Sequence, residues 1–284
     1  MRVLVTGSEG FLGQHLSQFL SEKGHEVVGY DLALGHDILN AEQLRISLNG
    51  CDVCIHLAAV ADLYIAEHNP KAAQEINVDG TRLVVEICDE LEIRMLYAST
   101  CCVYGNNGLE KSDESSVVAP TEHYARTKLE GEKFVSTSNN GHVIMRIATF
   151  YGPQMRESLA TSIFLRAASA GDPILIHGYG EQTRCFTHVQ DICSGIVVVM
   201  EKVGFEGIIN ISDNREISVN RLVEITMQVV GESVEIKYTP EREGQIFRSS
   251  IDNSMLRRLG WFPIWNLTDG LRQCVEMTPM AGES

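Results

Sequence analysis

Tyr124 and Lys128 stand four residues apart where a helix is predicted to begin, so their side chains share one face of it. An ammonium beside a phenol favours the phenolate and lowers its pKa. A tyrosine so placed can act as an acid and a base near neutral pH. The pair alone is not specific, because surface helices carry it by chance. A second chemical pair, Ser99-Thr100, closes the apolar run Arg94-Met95-Leu96-Tyr97-Ala98. In open α/β sheets the C-terminal ends of the parallel strands form the edge where ligands bind.

A third site opens the chain. The run Met1-Arg2-Val3-Leu4-Val5-Thr6 leads directly into Gly7-Ser8-Glu9-Gly10-Phe11-Leu12-Gly13. Glycine permits a tight turn and a close backbone approach. A helix start supplies unpaired N–H groups and partial positive charge for a phosphate. The spacing is G-x-x-G-x-x-G rather than the commoner G-x-G-x-x-G. Its place between a strand and a helix favours dinucleotide binding over a plain turn. Asp31 ends the next apolar run, Val27-Val28-Gly29-Tyr30. An acid there accepts hydrogen bonds from the adenosine ribose and repels a 2′-phosphate, which selects NAD over NADP. Asp37 and Ile38 follow, within reach of the adenine edge. Leu57, Ala58 and Ala59 leave the strand that holds His56, and their small side chains admit a cofactor. His56 itself reads as structural. Asn77 falls on a predicted helix, where a buried amide needs a partner, and it is read, with Ser99, as a cofactor contact.

These residues need strands and helices in alternation to hold them. Apolar runs near 2–6, 27–31, 53–59, 94–100 and 143–147 read as strands. Helices are predicted between them, among them a long one over 71–91. Beyond Thr149 the alternation loosens. Helices are expected near 159–170, 191–200, 218–230 and 267–275, with strands near 174–177, 207–211 and 234–238. Ser218 is placed to cap its helix, and residues 278–284 are expected to fray. The fold class predicted is α/β, a Rossmann-like doubly wound parallel sheet with a smaller C-terminal α/β substrate lobe. The sheet domain covers 1–148, with 174–211 partly returning to it, and the lobe covers 149–173 and 212–284.

Composition narrows the partners. The chain has 284 residues, 44% of them hydrophobic, and a net charge of −15. Such acidity argues against a nucleic-acid or anionic-membrane surface. No apolar stretch approaches a membrane span, and no signal-peptide anatomy is present, so a cytoplasmic protein is expected. The eight cysteines read as buried free thiols rather than metal ligands. Cys51 and Cys54 fall three apart on a strand, which points them to opposite faces.

In order along the chain stand the glycine turn, Asp31, His56-Leu57-Ala58-Ala59, Asn77-Val78-x-Gly80-Thr81, Ser99-Thr100, Val103-Tyr104-Gly105 and Tyr124-x-x-x-Lys128. Arg146, Tyr151-Gly152-Pro153, Gly178-x-Gly180-x-x-x-Arg184, Val189-x-Asp191, Arg242-x-Gly244 and Leu259-Gly260-Trp261 continue the pattern. Together they resemble the extended short-chain dehydrogenases/reductases, in the NAD-dependent nucleotide-sugar epimerase/dehydratase branch, over nearly the whole chain. The resemblance implies NAD as cofactor and Tyr124 as the base that takes a proton from a sugar hydroxyl. It makes Lys128 the holder of the nicotinamide ribose and Thr100 a hydrogen-bond partner of the reacting oxygen. Arg184 and Arg242 would pair with the pyrophosphate of the nucleotide sugar, and Thr149 stands where the family often has an Asn that contacts it. A homodimer through the 71–91 and 124–136 helices is implied as well.

Departures from the family pattern narrow the reaction. Sugar dehydratases carry Asp-Glu after the catalytic Thr, where this chain has Cys101-Cys102, so dehydration is disfavoured. Decarboxylases usually carry Glu at Cys102. Gln245 replaces a usual acid and Cys185 a usual Asp, which reshapes the acceptor pocket. The expected reaction is NAD-dependent epimerisation of a nucleotide sugar, a UDP-sugar at C4. The alternatives are a keto-sugar reductase or a UDP-glucuronate decarboxylase-like enzyme, and then a non-catalytic NAD-binding protein. No metal is expected.

Overall fold

A computed structural model describes residues 1–106, 108–242 and 244–277. The expectation for 278–284 lies outside these residues. The first half alternates as predicted: β1 (Arg2–Thr6), α1 (Phe11–Glu22), β2 (Glu26–Tyr30), α2 (Ala41–Leu48) and β3 (Val53–His56). Then come α3 (Leu63–His68), α4 (Pro70–Gln74), α5 (Thr81–Glu90), β4 (Arg94–Thr100), α6 (His123–Val135) and β5 (His142–Ile147). The second half holds β6 (Phe150–Tyr151), α7 (Ala160–Ala170), β7 (Ile174–His177), β8 (Thr183–Cys185), β9 (Thr187–His188), α8 (Val189–Glu201) and β10 (Gly207–Ile211). It ends with β11 (Glu216–Ser218), α9 (Val219–Val230), β12 (Ile236–Thr239), α10 (Ser254–Arg258) and α11 (Leu267–Met277).

Six strands form one parallel sheet in the order β10-β5-β4-β3-β1-β2. Successive side chains on a strand face opposite sides, and the two cores follow that rule. Val3 and Val5 pack with Leu16, Leu20 and Ile196 under α1 and α8. Leu4 packs with Leu44, Val84 and Ile87 under α2 and α5. β1 lies between β2 and β3, so the chain leaves it in one direction and returns in the other. A crevice opens at the carboxyl ends of strands at such a reversal. The Rossmann order 3-2-1-4-5-6 has a further strand outside β2. Here the sheet ends at β2, because the stretch 31–40 is short and makes a 3-10 turn, Leu32–Leu34, and a loop.

The predicted helix over 71–91 begins at Pro70, with Asn69 capping it at 3.3 Å. It is interrupted by a π-helical turn, Glu75–Gly80, which carries Asn77. Within 174–211, α8 packs on the large sheet and β10 joins it, whereas β7 pairs with β12 in the smaller lobe. That lobe has its own core, including Phe164, Ile174, Leu222 and Leu271. Ser218 accepts the Arg221 N–H at 3.2 Å and caps α9. The opposite-face expectation for Cys51 and Cys54 fails, since both pack in one core with Cys88. Cys51 precedes the strand, so strand alternation does not govern it. None of the eight cysteines, all among the described residues, is in a disulfide.

Candidate active site

A cleft of about 510 Å³ lies along the carboxyl ends of β1, β3 and β4. Gly7, Gly10, Phe11, Leu12 and Gly13 line it from the first turn, and Leu57, Ala58 and Ala59 from the exit of β3. The turn depends on missing side chains. Gly7 has φ +70, and a Cβ there would meet the Ala58 nitrogen at 2.8 Å. A Cβ on Gly13 would come within 2.0 Å of the Gly7 carbonyl oxygen. Gly10 caps α1 with no side-chain hydrogen bond and no acid follows in the first turn, so the helix start keeps its charge for an anion. Thr6 ties the two walls together, its hydroxyl oxygen accepting from the Leu57 and Ala58 N–H groups at 3.1 Å each.

The far end of the cleft is built from the loop after β2. Asp31, Asp37 and Ile38 line it, together with Tyr30, Leu32 and His36. The Asp31 carboxylate accepts from the Glu9 N–H at 3.1 Å and the Ala33 N–H at 3.0 Å, which fixes it beside the glycine turn. His36 stacks on Tyr30 with ring centroids 4.9 Å apart.

Ser99, Thr100, Tyr124, Lys128 and Thr149 line the opposite end. Thr100 accepts from the Cys102 N–H at 3.2 Å, which fixes its rotamer at the strand end. Lys128 is 1% exposed, and its Nζ lies 4.2 Å from the centroid of the Tyr97 ring. Burial pulls its pKa down to about 7, and Glu132 opposes the fall. Burial raises the Tyr124 phenol, the Cys102 thiol and Glu122 carboxylate add to the rise, and Arg156 opposes it. The expected lowering of Tyr124 by Lys128 is therefore absent here, because desolvation dominates and the amine faces Tyr97.

Three expected contacts lie off the cleft wall. Asn77 is buried behind it, accepting the Val60 N–H at 2.7 Å and donating to the Val60 carbonyl at 3.1 Å and Thr127 hydroxyl at 2.9 Å. It supports the loop after β3 rather than lining the cleft. Arg184 donates to the Thr183 carbonyl at 2.7 Å. Burial lowers its pKa, and the charges of Cys102, Glu122 and Arg242 reach it. Arg242 is exposed on its loop. The charges of both arginines reach Glu122. Sequence reasoning missed Arg156, Phe150 and Leu159 as lining residues. They come from an irregular stretch with no periodicity to mark them. Cys102, noted as a departure, also lines the cleft. His56 is structural: Thr6 lies 2.7 Å from its Nδ1 and Thr81 3.1 Å from its Nε2.

The glycine cradle, the open helix start and the ribose-side acid suit a dinucleotide, and the hydroxyls, phenol and amine at the other end suit oxidation of an alcohol. Among the described residues, no group of three or more His, Cys, Asp or Glu could hold a metal ion.

The chain is similar to known proteins. The model of the NAD dependent epimerase/dehydratase family matches residues 3–212. An uncharacterized UDP-glucose epimerase, YtcB, of Bacillus subtilis (strain 168) is 30% identical over 95% of this chain and 96% of its own. UDP-glucuronic acid decarboxylase 1 of Xenopus tropicalis is 28% identical over 96% of this chain and 71% of its own. The crystal structure of UDP-glucuronic acid 4-epimerase from Bacillus cereus, with UDP-glucuronic acid and NAD, superposes with a TM-score of 0.91. It is 27% identical, and the match covers 98% of each chain.

Proposed function

Because this chain belongs to the NAD dependent epimerase/dehydratase family, we propose that it epimerises a UDP-sugar at C4 through a transient 4-keto sugar. The observation that carries this is the placing of Thr100, Tyr124 and Lys128 on one wall of the cleft, with Cys102 rather than an acid beside them. Bound NAD supplies the hydride acceptor and donor. Gly7, Gly10 and Gly13 admit its pyrophosphate, and Asp31 receives the ribose hydroxyls. Tyr124 takes the proton from the sugar hydroxyl and returns it. Thr100 donates a hydrogen bond to the same oxygen and stabilises its developing charge. Lys128, as an ammonium, holds the ribose and offsets the phenolate. Arg184 and Arg242 take the sugar diphosphate, with Thr149 beside it. The Arg242 charge reaches Arg184, and both reach Glu122, which supports the assignment, since guanidinium groups suit phosphate oxygens.

Arg156 favours a hexuronate over a neutral hexose. It is a cation on the cleft wall, close enough to Tyr124 for its charge to act there. Decarboxylation is a weaker reading, because Cys102 offers no carboxylate. The test uses protein purified without added cofactor. Released NAD is assayed after denaturation, and a native sample is incubated with UDP-glucose, UDP-glucuronate and UDP-N-acetylglucosamine under NMR. Bound NAD with inversion at C4, fastest for UDP-glucuronate, supports the reading. Turnover only of a keto-sugar with added NADH would replace it with a reductase, and carbon dioxide release with a decarboxylase.

The working form is a cytoplasmic homodimer through α5 and α6. Leu83, Leu129 and Phe134 support this, being only partly buried on those helices. Light scattering at micromolar concentration should give twice 31.5 kDa, and a monomer mass would overturn it. Among the described residues no helix is long and apolar enough to cross a membrane.

A further inference from the structure

Behind Lys128, one helical turn along α6, lies a buried carboxylate. Glu132 is 4% exposed. It receives two hydrogen bonds from Arg146 of β5, Nε to Oε1 at 3.0 Å and Nη2 to Oε2 at 2.7 Å. It also receives the Ser99 hydroxyl, a group on the cleft wall beside Thr100. Residues four apart on a helix are neighbours, and both side chains run to β4, Lys128 over the Tyr97 ring and Glu132 at Ser99 two residues further on. Arg146 is itself held, its guanidinium 4.9 Å from the Tyr104 ring centroid. A buried ion pair is a poor source of stability, since desolvation offsets its attraction. Its persistence beside a reactive amine calls for another reason.

We propose that Glu132 is a positioning residue that keeps Lys128 an ammonium, with Arg146 and Ser99 fixing the carboxylate in place. This rests on the proposed function, in which the Lys128 cation offsets the Tyr124 phenolate. Lys128 needs such help. The groups around it are the Tyr97 ring from β4, the neutral His56 from β3, and Glu132 from its own helix. Of these, Glu132 is the carboxylate that opposes the desolvation of the amine. Arg146, beyond it on β5, is a cation and would push the other way if the carboxylate were gone. Ser99 links the device to the cleft, because its hydroxyl is committed to Glu132 and does not compete with Thr100 for the substrate.

The test is E132Q, which preserves shape and removes the charge. Expected is a wild-type to variant ratio of kcat that grows with pH, from near one at pH 6 to about tenfold or more at pH 9, tenfold being one pKa unit. The sign holds whichever of Tyr124 and Lys128 titrates first, since the variant loses ammonium only above its lowered pKa. A merely structural role gives a ratio that does not change with pH, and that result overturns the proposal. A second readout needs no turnover. In cofactor-free protein labelled with 15N-lysine, the Lys128 Nζ titration, assigned by K128R, should shift acidward by at least a unit in E132Q. An unmoved midpoint likewise overturns it. If E132Q fails to fold with Arg146 unpaired, E132Q/R146M removes the ion pair as a unit; the shift keeps its sign but is smaller, because the opposing cation leaves with the carboxylate, and no shift in it overturns the proposal. K128M separates the two readings. If K128M retains full activity, the catalytic assignment itself is wrong. If K128M is inactive while the E132Q ratio stays flat, only the role of Glu132 is wrong.

Discussion

Tyr124 carries two opposed requirements, because a proton acceptor must ionise and a buried phenol resists ionisation. Burial raises its pKa in this structure, and Arg156 is the cation that opposes the rise. The proton transfer therefore depends on charges that surround the phenol when the cleft is filled. Tyr124→Phe should lower kcat by about 10²–10⁴-fold, the usual worth of a positioned acid/base, with the circular dichroism spectrum and the retained NAD unchanged. Thr100→Val should lower kcat by about 10²–10³-fold, the usual loss of one donor to a developing oxyanion, with KM little altered. Both are read from steady-state turnover of the sugar that the NMR panel identifies. These positions were legible in the sequence because each adjoins an element end: the strand stops at Thr100, and the helix starts at His123, next to Tyr124. Arg156, Phe150 and His36 were not, because loops and a two-residue strand carry no period and their side chains reach the cleft only through tertiary folding.

At the scale of elements, the π-helical turn between α4 and α5 gives the long helix its use at the site. It places the Asn77 amide where it holds the Val60 backbone by both its groups. Asn77→Leu should leave that backbone without partners and cost about 1–3 kcal/mol, the usual penalty for an unsatisfied buried group. The loss would appear as a lower urea midpoint, along with faster amide exchange at Val60. The sequence marked Asn77 as a buried amide needing a partner, but could not say that the partner was a loop rather than a cofactor. Periodicity likewise showed a helix here without its interruption, since one extra residue in a turn barely disturbs an apolar face. The alternation of β and α elements made the large sheet readable. Its missing outer strand was harder to see, because only the brevity of 31–40 announces it.

For the molecule as a whole, buried histidines set the response to acid. His56 is held to a pKa of about 3 by burial and by Lys128, and His188 to about 4, again chiefly by burial. Their usual value is near 6.5. Between those limits the unfolded chain binds protons that the native state refuses, so stability is full above about pH 6.5 and declines as pH falls. His56 has a further reason to stay neutral: Thr81 donates to the Asn77 carbonyl at 2.7 Å, so its oxygen is free to accept from His56 Nε2. Nδ1 must then accept from Thr6. Urea unfolding should show a midpoint that falls from pH 6.5 to pH 4, and His56→Asn should flatten part of that slope. A wild-type midpoint independent of pH over this interval would contradict the assignment. The early end of the sheet has one more consequence. Asp31, Leu32, His36, Asp37 and Ile38, all of the adenosine end beyond Tyr30 and the first turn, belong to a single unbroken stretch of ten residues at the rim of the molecule. That stretch is a cassette. It contains no strand of the sheet, so a designer wishing to change the coenzyme would have one short segment to rewrite, keeping Ile38, which packs in the core with Leu4 and Tyr30.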